Sequence, residues 1–72
     1  MNAIQNIRKN FFKLTQVEFS AVAGVAQATV SRWEKHDVAP SLDEMMRIRR
    51  AAKERHLPWD DRLFFEVPEA AE

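Results

Sequence analysis

Apolar residues recur at helical spacing along most of the chain, and no stretch shows the strict alternation of a half-buried strand. Ile4, Ile7 and Phe11 at i, i+3, i+7 place one apolar stripe on a first helix. Thr15-Gln16-Val17-Glu18 has the form of a capping box and opens a second helix through Ala23, with Val17, Phe19 and Val22 as its apolar surface. Gly24 stops that helix. Residues 27–35 predict a third short helix, with Val30 and Trp33 turned inward and Gln27, Ala28, Ser31 and Arg32 outward. After Pro40, Ser41-Leu42-Asp43-Glu44 is a second capping box. It starts a fourth helix whose buried stripe is Leu42, Met45, Ile48 and Ala52 and whose outer face carries Arg47, Arg50, Lys53 and Glu54. Pro58-Trp59-Asp60-Asp61 suits the first turn of a fifth helix. Leu63-Phe64-Phe65-Glu66-Val67 either completes that helix or runs extended. The pattern predicts an all-α fold in one domain over residues 1–67, followed by a flexible acidic tail over 68–72.

Composition narrows the class. A chain of 72 residues, 46% hydrophobic with five Phe, two Trp and three Met, can close one small core, so a folded main state is expected. Cys is absent, which removes disulfides and thiolate metal sites. Neither a signal peptide nor a membrane-spanning run is expected, so the expected location is the cytoplasm, in association with the nucleoid. The eleven basic and eleven acidic side chains balance to zero, which taken alone argues against a nucleic-acid binder. The distribution argues differently. Residues 1–35 carry five basic side chains against two acidic, residues 36–56 five against four, and residues 57–72 one against five. The basic surplus therefore sits in the half of the chain that holds the second and third helices, and the acidic surplus at the other end.

Residues 15–35, two short helices joined by Gly24-Val25-Ala26, form a helix-turn-helix. The reversal needs a residue without a Cβ, and Gly24 supplies it. The second helix needs a buried side, here Val30 and Trp33, and an opposite side of polar groups able to meet base edges, here Gln27, Thr29, Ser31 and Arg32. The runs Leu14-Thr15-Gln16-Val17-Glu18-Phe19-Ser20, Ala23-Gly24-Val25-Ala26-Gln27-Ala28-Thr29-Val30-Ser31-Arg32-Trp33-Glu34 and Pro40-Ser41-Leu42 resemble the Cro/phage-repressor (XRE) type of helix-turn-helix domain. The resemblance covers roughly residues 4–65. It implies a compact five-helix bundle whose third helix enters the major groove. It places Gln27, Ala28 and Arg32 at base-contacting positions, with Thr29 and Ser31 as further contacts, and Gln16 and Lys35 against phosphates; Lys13, a cation just before the second helix, is a further phosphate candidate. It makes Glu34 the ion-pair partner of a basic residue on the first helix, Arg8 or Lys9.

The chain departs from the family pattern in four places. Lys13 stands where Gly is usual before Leu14, and the stretch from Arg8 to Thr15 is one residue longer than is common. His36 stands where a left-handed Gly is usual after the third helix. Ala26 is a poor N-cap, which implies a recognition helix that is loose without DNA.

Other chemistry is thinly represented. His36 and His56 read as surface residues, and no third ligand joins them in register. Met45 and Met46 read as core or interface filler. Ser31 and His36 face different ways, so no nucleophile–base pair is available, and neither catalysis, a cofactor nor a small-molecule ligand is expected. Trp59, Leu63, Phe64, Phe65 and Val67 are more apolar than one short helix needs. Trp59, Phe64, Phe65 and Val67 are therefore candidate dimer contacts, since palindromic DNA requires two recognition helices about 34 Å apart. The expected function is a sequence-specific, double-stranded-DNA-binding transcriptional repressor, bacterial or phage in origin and homodimeric. The alternative is a protein-interaction module or antitoxin component that keeps this fold without specific DNA binding.

Overall fold

The computed structural model describes residues 2–66. Helix α1 (Ala3–Asn6) runs directly into a π-helical segment (Ile7–Phe12), and α2 (Gln16–Ala23), α3 (Gln27–Glu34), α4 (Leu42–Glu54) and a 3₁₀ turn (Asp61–Phe64) come after it. No strand occurs among the described residues. The fold is all-helical as expected, but the expected fifth helix is replaced by the 3₁₀ turn. Asp60 lies in extended backbone with its carboxylate accepting from the Arg62 amide, and the turn is over by Phe65. Leu63 and Phe64 thus belong to a single tight turn. Val67 and the 68–72 tail lie outside the described residues.

The extra residue between Arg8 and Thr15 is absorbed inside the first helix. Asn2 caps α1 by accepting from the Gln5 amide at 2.8 Å. From Ile7 onward the winding widens to i→i+5 bonding, which takes up about one additional residue per turn. Lys13 ends the segment in left-handed backbone (φ 59°), and the Leu14 amide reaches back to the Arg8 carbonyl at 3.0 Å. The wider turn also moves the apolar stripe by one position. Ile4 and Ile7 are buried as expected, but Phe12, not Phe11, enters the core. Phe11 is half-buried, edge-on to Phe12 (centroids 6.0 Å apart) and to Trp59 (5.6 Å).

Both capping boxes form in full. Thr15 and Glu18 exchange bonds of 2.9 and 3.1 Å, and Ser41 and Glu44 bonds of 2.7 and 3.2 Å. The core they anchor joins Ile4, Ile7 and Phe12 to Phe19 and Ala23 of α2, Val30 and Trp33 of α3, and Ile48 and Ala52 of α4. Two apolar residues assigned inward by spacing face outward instead: Val17 is 65% exposed and Leu42 71%. Each lies in the first turn of its helix. Met45 is half-buried.

Candidate nucleic-acid interface

The helix-turn-helix is built from the α2 end outward. Gly24 adopts the left-handed conformation (φ 70°), and the Val25 amide bonds back to the Ser20 carbonyl at 3.0 Å. Ala26 is extended and precedes α3 without any side-chain cap, as its identity leads one to expect. Val30 and Trp33 are buried, which fixes the rotation of α3 about its axis. On the opposite side Gln27, Ala28 and Arg32 are exposed, with Thr29 and Ser31 half-buried beside them. One face of α3 therefore presents an amide, a methyl and a guanidinium, the groups that suit adenine, the thymine methyl and guanine in the major groove.

Behind that face runs a chain of hydrogen bonds. Arg8 grips Glu34 in a two-point ion pair, Nε to Oε2 at 2.6 Å and Nη2 to Oε1 at 3.0 Å, with both side chains nearly buried. Arg8 Nη1 also donates to the Leu14 carbonyl at 3.0 Å. Gln16 Nε2 donates to Glu34 Oε1 at 3.2 Å, and Gln27 Nε2 donates to Gln16 Oε1 at 2.6 Å. The choice between Arg8 and Lys9 is thereby decided: Arg8 is buried against Glu34 and Lys9 is exposed. Gln16 at the start of α2 and Gln27 at the start of α3, assigned separately to phosphate and base, are brought into direct contact. Asn2 adds a further tie, donating through Nδ2 to the Trp33 carbonyl at 2.7 Å.

Lys13 and Lys35 are both exposed, Lys13 just before α2 and Lys35 closing α3. Lys35 lies about 12 Å along the helix from Gln27 at the usual rise per residue. His36 takes the left-handed position after α3 (φ 64°). His56 does the same after α4 (φ 59°), which the sequence had not signalled.

The C-terminal candidates divide. Trp59 is half-buried between Phe11 and Phe64 (centroids 5.6 and 5.0 Å), and its Nε1 donates to Asp61 at 2.8 Å, so its contacts close the bundle. Phe64 is half-buried, and Phe65 is 77% exposed. Val67 lies outside the described residues. Sequence spacing missed the partners of Phe65. Leu42, Met45 and Met46 of α4 line a cavity of about 170 Å³ with Phe64, Phe65, Arg49 and Asp61. Leu42, which spacing had placed in the core, is one of its lining residues.

Among the described residues no cluster of His, Asp or Glu could hold a metal ion, and no helix is long and apolar enough to cross a membrane. No curated protein and no solved structure matches the chain. The helix-turn-helix family matches over residues 4–59, a span containing nearly all of α1, all of α2 to α4 and every α3 side chain described above. The chain belongs to the XRE-type helix-turn-helix family of DNA-binding domains.

Proposed function

We propose that the protein is a sequence-specific transcriptional repressor that binds a palindromic operator as a homodimer, and that it is a binding protein and not an enzyme. The supporting observation is the hydrogen-bonded series Arg8–Glu34–Gln16–Gln27, which orients an exposed amide at the start of α3. An amide already held in place loses less freedom on meeting adenine. In this reading Gln27, Ala28 and Arg32 contact bases, assisted by Thr29 and Ser31. Gln16, Lys13 and Lys35 contact phosphates, and the site of action is the cytoplasmic chromosome. Dimerisation places Phe65 of each copy against the Leu42–Met46–Phe64 surface of the other. Such a knob-and-groove patch is complementary to itself, as a two-fold interface must be.

Selection of bound sequences from random duplex DNA tests this directly. A two-fold symmetric site whose binding weakens steeply with salt supports the reading. Recovery of unselected sequences, together with an unchanged sedimentation mass for Phe65→Asp, would replace it with the second reading, a protein-interaction module. The balanced net charge and the exposed apolar groove favour that alternative.

A further inference from the structure

The end of a helix leaves carbonyls without intrahelical partners. At the end of α2, the carbonyl of the fully buried Ala23 is taken by a side chain from a third element: Arg47 of α4 donates to it through Nε at 2.8 Å. The same guanidinium occupies the space beside the turn. A Cβ on Gly24 would stand 3.3 Å from Arg47 Nε and 3.6 Å from Cδ and Cζ. Gly24 thus suits this position twice: it takes the positive φ at least cost, and any Cβ here would press on Arg47 and oblige it to give by a few tenths of an ångström. A cation at this end of α2 additionally complements the partial negative charge of the helix C-terminus.

The contact sits immediately before the recognition helix. α3 begins three residues after Gly24 and has no side-chain cap at Ala26, so the direction in which it leaves the turn depends on the backbone of residues 23–26. We propose that Arg47 is a positioning residue for DNA recognition: from α4 it holds the end of α2, and through the turn it sets the angle at which α3 presents Gln27 and Arg32. The sequence pattern assigns Arg47 only to the solvent face of α4, because its partner lies 24 positions away. The proposal rests on the DNA-binding reading above.

The terminal nitrogens of Arg47 take no protein partner among the described residues, so a direct phosphate contact is the competing role. Arg47→Met keeps the aliphatic stem and removes the donor. The measurement is fluorescence anisotropy with a selected duplex and a scrambled one across a salt series, alongside amide hydrogen exchange of residues 25–30 in the free protein. For a positioning residue, affinity for the selected duplex falls about tenfold. Affinity for the scrambled duplex and the salt slope stay as they were, and exchange at residues 25–30 accelerates. Equal weakening on both duplexes with the slope reduced by about one would make Arg47 a phosphate contact and overturn the proposal. Unchanged exchange would overturn it too. A loss of stability alone lowers both affinities together and leaves their ratio unmoved, which also counts against positioning. If Arg47→Met does not fold, Arg47→Lys carries the comparison: it keeps the charge but replaces the fixed fork with a single mobile donor, and part of the ratio is lost. Should the wild type bind no duplex, the DNA-binding reading fails, while exchange at residues 25–30 still decides whether Arg47 holds the turn.

Discussion

Helices α2 and α3 are each eight residues long and stand side by side, yet they are stabilised in opposite ways. α2 carries its own punctuation. Thr15 and Glu18 cap its start reciprocally, and Gly24 ends it in the conformation Gly tolerates best. α3 has an uncapped start at Ala26 and a His in the left-handed position beyond its end. What α3 lacks locally it receives from elsewhere: Arg8 on Glu34, Asn2 on the Trp33 carbonyl, and Gln16 on Gln27. α2 takes one tertiary tie at its end, Arg47 on the Ala23 carbonyl, whereas α3 relies on such ties at both ends, which makes its position sensitive to residues distant in the chain.

Changes at these contacts rank by what they leave behind. Arg8→Met strands the Glu34 carboxylate in a nearly buried site, and unfolding titrations should show a loss of about 3–5 kcal/mol, with α3 amides deprotected before those of α2. A loss under about 1 kcal/mol would mean that α3 does not depend on the pair. Capping substitutions should have opposite signs in the two helices. Thr15→Ala removes a formed cap and costs about 1 kcal/mol, whereas Ala26→Ser supplies a missing one and gains about as much, both read by thermal denaturation. His36→Gly relieves a left-handed residue worth about 1 kcal/mol, and the freedom of Gly in the unfolded chain returns roughly half of that, leaving a gain of about 0.5 kcal/mol.

The smallest effect is that of pH. Bonds from the Thr15 backbone and then its hydroxyl hold the Glu18 carboxyl below its ordinary value of 4.5. A carboxyl lowered in the folded state contributes stability above its unfolded value and loses it as pH falls through the lowered one. Acidification should therefore loosen the start of α2 only below the ordinary carboxylate range, and α3, which has no acidic group in its first turn, should show no matching step there. Amide shifts of Thr15 and Thr29 followed by NMR check both halves.

The legibility of the sequence divides along the same line, between local and tertiary contacts. The capping boxes and the Val30–Trp33 side were legible because they depend on residues three apart. The Arg8–Glu34 pair was legible only as a choice, because the π-helical segment that turns Arg8 inward leaves no mark on apolar spacing beyond one surplus residue. The same segment moved Phe12 into the place expected of Phe11. Val17 and Leu42 fit their stripes but lie in the first turns of their helices and stay exposed. The contact of Arg47 with Ala23 joins a side chain to a main-chain carbonyl, which no pattern of residue types records.

If α3 reads DNA sequence through side chains held in place from behind, Gln27 should be felt on one kind of DNA and not on another. Wild type and Gln27→Ala, each titrated with a selected duplex and a scrambled duplex, decide the matter. The substitution should cost about 1–3 kcal/mol on the selected duplex, remove the preference at one base pair and leave the scrambled duplex unaffected. Equal affinity of the wild type for the two duplexes, or equal weakening of both by the substitution, would show that α3 does not read sequence in this way.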